Sequence, residues 1–129
     1  MIGLFLVTHG SYGDALIQCA CHVLNQRPPQ IMQLGITPQD DPLDVLPLAK
    51  SLLELVDTGD GALILTDIYG ATPSNIAMKL LKPGHVEGVA GLNLPMLLRA
   101  LTYRDKDMET LLSRATVGGR DGVLNMLQH

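Results

Sequence analysis

Thr8-His9-Gly10 closes the apolar run Ile2 to Val7, and an amphipathic pattern opens at Ser11. A histidine so placed sits at the carboxyl end of a strand and beside a helix amino terminus, where anions are favoured and open α/β sheets bind ligands. It can serve as nucleophile, general base or metal ligand, and its partner decides which. Asp67 directly follows the run Ala62 to Thr66. If the first and third strands are neighbours, as in flavodoxin-like sheets, Asp67 lies beside His9. A carboxylate accepting from one ring nitrogen fixes the tautomer, turns the other lone pair outward and supports the cation formed on attack. That pairing suits a phosphohistidine.

The segment Tyr69-Gly70-Ala71-Thr72-Pro73-Ser74-Asn75 supplies small residues, backbone N–H groups at a helix start and the Thr72 hydroxyl, which together suit a transferred phosphoryl group. No Walker lysine, glycine-rich nucleotide fingerprint or acidic metal cluster accompanies it, so transfer without a nucleotide is favoured, with no cofactor and no metal. Singly, each residue has a plain structural reading: His9-Gly10 as turn chemistry, Asp67 as a cap, Thr72-Pro73 as a helix start. Their joint occurrence at two strand mouths carries the functional reading.

Two rival functions share parts of this pattern. A small tetrapyrrole metal chelatase also begins with a strand followed by His-Gly-Ser, matched here by His9-Gly10-Ser11. It needs a second histidine at the metal, and His85, the one candidate, falls just before the fourth strand, at the opposite end of the sheet. A binding module or phospho-sensor that does not pass its phosphate on is the other; retention of both His9 and Asp67 speaks against loss of the chemistry. His22, His85 and His129 read as surface or helix residues.

Strand and helix patterns alternate along the chain. A first helix from Ser11, its N-cap, carries Ala15, Leu16, Cys19, Ala20, Val23 and Leu24 on its apolar face, with Asp14 in the first turn. Gln30 to Ile36 is a second strand. A helix then follows Asp40-Asp41-Pro42, with the stripe Leu43, Leu46, Ala49, Leu52, Leu53 and Val56 interrupted by Pro47. Ala62 to Thr66 is a central strand covered on both faces. Pro73 opens a helix through Leu81, Val86 to Gly91 is the fourth strand, Pro95 opens a helix through Leu101, and a last helix spans Lys106 to Ala115, with an apolar turn near Val123 to Leu127. The pattern predicts one α/β domain over 1–129: a doubly wound, mainly parallel sheet of about four strands with helices on both faces.

The chain has 129 residues, a net charge of −4, a single Phe and no Trp. No basic run is present, which argues against a nucleic-acid partner. The first apolar run has no basic residue before it and no cleavage site after it, so it reads as a buried strand and not a signal peptide. Cys19 and Cys21, two apart in a helical pattern, face different ways and form no disulfide. They read as small core or boundary residues of a cytoplasmic protein.

Four blocks in order, Val7-Thr8-His9-Gly10, Asp67 to Asn75, Gly91-Leu92-Asn93-Leu94-Pro95-Met96-Leu97 and Gly119-Arg120-Asp121-Gly122, resemble the IIA component of the mannose-type bacterial sugar phosphotransferase system. The second and third are specific. The resemblance implies a phosphotransferase in which His9 accepts a phosphoryl group from the histidine phosphocarrier protein and hands it to a IIB component or a regulatory target. It implies that Asp67 orients His9, that Gly10, Ala71 and Thr72 hold the phosphoryl group, and that Asn93, Pro95 and Met96 form a docking rim. Relatives are cytoplasmic or membrane-recruited homodimers. They often carry an aromatic residue soon after His-Gly and two glycines where this chain has Gly70-Ala71; here Ser11 and Tyr12 follow, and no reactive group is lost. The sequence stops at His129 with no room for an exchanged carboxyl-terminal strand, which argues against dimerisation by strand swapping and leaves a packed-helix dimer open.

Overall fold

A computed structural model describes residues 1–128 and turns the four apolar runs into one sheet. Its strands are β1 (Gly3–His9), β2 (Ile31–Ile36), β3 (Ala62–Thr66) and β4 (Val86–Ala90). They lie in the order β2-β1-β3-β4, every pair parallel, with Val7 opposite Thr66 and His9 opposite Ile36. The order reverses between β1 and β3, so their carboxyl ends flank the crevice where open sheets of this type bind ligands.

Alternation along the strands builds two cores. Leu4, Leu6, Leu63 and Leu65 point to one face, where they meet α1 (Tyr12–Leu24), α4 (Leu94–Tyr103) and α5 (Met108–Asp121). Phe5, Val7, Ala62 and Ile64 point to the other and meet α2 (Pro42–Val56) and α3 (Thr72–Met78). Burial on both faces is why these strands are almost continuously apolar. At the amino ends of the strands the buried Arg104 guanidinium donates to the carbonyls of Ile2, Pro29 and Gln30 at 3.0, 2.7 and 2.6 Å.

Several element details depart from the pattern-based expectation. The buried face of α1 runs through Gly13, Ile17 and Ala20, whereas Ala15, Cys19, Val23 and Leu24 are exposed. Ser11 makes no side-chain cap; the Gly13 N–H donates to Thr8 Oγ1 at 2.8 Å instead. α2 starts at Pro42, with Asp41 accepting from the Leu43 N–H, so Leu43 is exposed and Pro47 lies inside the helix. α3 stops at Met78, three residues short of Leu81. α5 begins after its cap Asp107 and continues past Ala115 to Asp121, because Gly118 and Gly119 let it lie directly on Arg99 and Met96 of α4. The apolar stretch at the end is a short 3-10 turn, Met126–Gln128, open to solvent. Both cysteines are free; Cys19 is exposed, so it is not a core residue, and Cys21 is half-buried.

Candidate functional site at the mouths of β1 and β3

His9 ends β1, and Gly10, with a φ of 47°, turns the chain into α1. A positive φ is cheap for glycine alone, and here it also lets the Gly10 N–H donate to the Ile36 carbonyl at 2.9 Å. The carbonyl of Gly10 presses on Gly35, where a Cβ would come within 1.9 Å of it. The turn that presents His9 is thus fixed from the β2 side.

Asp67 meets it from β3. Its Oδ2 accepts the His9 backbone N–H at 2.9 Å and lies 2.8 Å from His9 Nδ1, while Oδ1 accepts the Ile68 N–H at 3.1 Å. The imidazole is 53% exposed and the carboxylate 15%, so the acid is tucked behind the ring. Burial alone would push the Asp67 carboxyl up, but the backbone N–H and ring of His9 outweigh it, and the net displacement is below the usual carboxylate range. An ionised Asp67 selects the tautomer protonated at Nδ1, which leaves the Nε2 lone pair directed away from the carboxylate.

The other candidate residues lie at the starts of two helices, α3 and α4. Ala71 is the half-buried N-cap of α3 and carries no side-chain cap; Thr72 follows it, exposed. Asn93 caps α4 by accepting the Met96 N–H at 2.9 Å, and its amide donates to the Gly119 carbonyl at 3.0 Å. Pro95 is half-buried, and Met96 lies in the core at 4% exposure, so its side chain belongs to the core packing and not to the surface.

Sequence reasoning overlooked Tyr12. Its hydroxyl donates to the Leu92 carbonyl at 2.7 Å, and burial together with the nearby Asp67 charge pushes its pKa up. It also overlooked a second pair: His85 Nε2 lies 2.7 Å from Asp57 Oδ2, and Asp57 Oδ1 accepts the N–H groups of Gly59 and Gly61. His85 is therefore half-buried and paired in a turn at the amino end of β4, not a plain surface residue. His22 is exposed on α1, and His129 lies outside the described residues. No group of three or more His, Cys, Asp or Glu able to hold a metal occurs among the described residues, and none of their helices is long and apolar enough to cross a membrane.

Residues 3–116 match the family model described as the PTS system fructose IIA component. The chain is 30% identical over 125 residues to the PTS system mannose-specific EIIAB component of Escherichia coli K12, covering 95% of this chain and 38% of that protein. The chain thus spans less than half the length of this relative. The same identity and coverage hold for the protein of that name from Shigella flexneri. Among solved structures, the phosphotransferase system component EIIA from Streptococcus agalactiae superposes with a TM-score of 0.85 at 22% identity, over 100% of both chains. The mannose/sorbose specific IIA subunit from Enterococcus faecalis gives 0.84 at 24% identity, over 96% of this chain and 93% of that one. These structural likenesses carry the fold, a four-stranded parallel α/β domain, and the sequence matches carry the family. The chain belongs to the mannose-type IIA components of the phosphotransferase system.

Proposed function

We propose that the protein is a phosphoryl carrier in which His9 Nε2 takes the phosphoryl group from the phosphorylated histidine phosphocarrier protein. The observation that carries this reading is the 2.8 Å contact between Asp67 and His9 Nδ1 beneath a half-exposed ring. Nε2 attacks phosphorus in line; the new N–P bond forms as the N–P bond of the carrier breaks, and the departing imidazole keeps the electron pair. Positive charge developing on the His9 ring is balanced by Asp67, a role that needs the carboxylate ionised. Ala71 and Thr72 are assigned to the phosphoryl oxygens, through backbone N–H groups and the Thr72 hydroxyl; Gly10, whose N–H is held by the Ile36 carbonyl, is assigned to them as the side-chain-free turn that leaves them room. Asn93 and Pro95 are assigned to the rim that meets the partner, with Met96 supporting them from below.

The phosphoryl group then passes to a IIB component, or stays on His9 as a regulatory signal; adding a IIB protein separates these outcomes. Both partners are proteins that act in the cytoplasm, which is where we place this chain, as a homodimer. The chelatase alternative loses its support in the geometry, since its second histidine, His85, is held by Asp57 at the other end of the sheet. The test is intact mass after incubation with phosphoenolpyruvate, enzyme I and the phosphocarrier protein from the same organism. One acid-labile phosphate on the wild type and none on His9→Ala is the expected result. A folded wild-type protein that gains no phosphate overturns the reading.

A further inference from the structure

A side-chain hydrogen bond braces α1 against the loop before α4. Tyr12 is the first residue of α1, and its hydroxyl reaches the carbonyl of Leu92, eighty residues away in the loop between β4 and α4. The Leu92 N–H and the Gly91 N–H both donate to the Thr66 carbonyl, at 2.9 and 3.0 Å, and Thr66 is the residue just before Asp67. The Leu92 peptide is therefore held at its N–H by the end of β3 and at its oxygen by α1. The next residue, Asn93, is bound at both ends of its amide, to Met96 and Gly119. One chain of hydrogen bonds thus runs from the segment after His9, over the end of β3, to the start of α4 and on to α5.

We propose that Tyr12 is a positioning residue for phosphotransfer: its bond to Leu92 fixes the Gly91–Asn93 loop as a ready-made wall for the incoming phosphocarrier. The inference rests on the phosphohistidine reading of His9. Tyr12 bonds neither His9 nor Asp67, so it leaves the nucleophile and its orienting acid as they are. Its contribution falls on docking, because a wall already ordered before encounter spares the partner the cost of ordering it. A neutral phenol is needed for this donation, as tyrosine is near neutral pH, and burial and then the Asp67 charge push its pKa further up.

The experiment is the rate of phosphoryl transfer to His9 as a function of phosphocarrier concentration, for wild type and Tyr12→Phe. The variant keeps the ring and loses one hydrogen bond, a change worth about three- to tenfold in an equilibrium. The expected result is a rise of that size in the half-saturating carrier concentration, with the maximal rate within about twofold of wild type. Amide NMR signals of Gly91, Leu92 and Asn93 should move, and those of His9 and Ile68, which donate to the Asp67 carboxylate, should stay. Unchanged kinetic constants in Tyr12→Phe overturn the proposal while leaving the phosphohistidine intact. So does a fall confined to the maximal rate, or a thermal destabilisation with no change in half-saturation, which would make Tyr12 a structural strut only. If the wild type takes no acid-labile phosphate, the reading of His9 fails and this inference falls with it.

Discussion

Asp67 divides its oxygens so that one serves His9 twice, at the backbone and at the ring, and the other is taken by Ile68. The shared oxygen makes orientation its main contribution. Asp67→Ala should leave a nucleophile that still accepts phosphate, slowed about 100-fold or more by a ring free to rotate; equal rates in single-turnover transfer would remove Asp67 from the mechanism. The same contacts predict a pH dependence of stability. A carboxyl held below its unfolded value of about 3.9 contributes stability above that pH and loses it as pH falls through the lower folded value. Asp67→Asn should therefore flatten the loss of stability in the acid range, measured as urea midpoints; parallel wild-type and variant curves would show that the carboxylate contributes nothing there. His9 and Asp67 were legible in the sequence because each ends an unmistakable apolar run. Tyr12 was not, because its acceptor is a backbone carbonyl, which any residue type could have supplied.

At the scale of elements, glycine accounts for both the misread helix face and the precision of the site. On α1 the expected stripe is right at Leu16 and Ala20 but also takes in the exposed Ala15, Cys19 and Val23, while the helix packs through Gly13, where a Cβ would come within 3.1 Å of Thr8 Oγ1. A residue with no side chain leaves no apolar mark, so the phase of the helix was hidden. Gly118-Gly119, past the Ala115 where the expected helix ended, is where α5 closes on α4: a Cβ there would meet Arg99 and Met96 within 2.8 and 2.7 Å. Gly35 works in the same way against the turn that carries His9. Gly35→Ala should cost about 1–3 kcal/mol by forcing its methyl into the Gly10 carbonyl. It should also slow phosphorylation, since relief comes by moving Gly10; a stable, fully active variant would mean that the β2 side does not fix this turn. Asn93→Ala removes a helix cap and the tie to Gly119 together, and chemical denaturation should register a loss of about 1–2 kcal/mol.

The molecule as a whole is a sheet covered on both faces whose surface still shows apolar side chains at the end of the described chain. Strand order and the switch point were legible because the hydrophobic runs alternate with helical patterns and a parallel sheet admits few connections. What covers the last apolar residues was not, since a sequence pattern marks apolar positions and not what meets them. Val117 and Leu124 are exposed, Val123 more so, and Met126 and Leu127 are almost fully open, at 91% and 99%. A run of this kind, with five apolar side chains within eleven positions, is costly in water and stands where a second copy could cover it. The homodimer proposed above would then place its contact here, next to the end of α5, whose Gly119 and Gly122 lie against Asn93 and Pro95. Sedimentation equilibrium should give twice the chain mass of 13.9 kDa. Met126→Asp with Leu127→Asp should return the monomer, because two buried carboxylates without partners cost more than the apolar contact gains. The monomeric variant should still take phosphate at His9, since Asp67, which orients the ring, comes from the same chain. A variant that stays dimeric moves the interface to another face of the molecule, and one that is monomeric but inert would mean that the second copy completes the site.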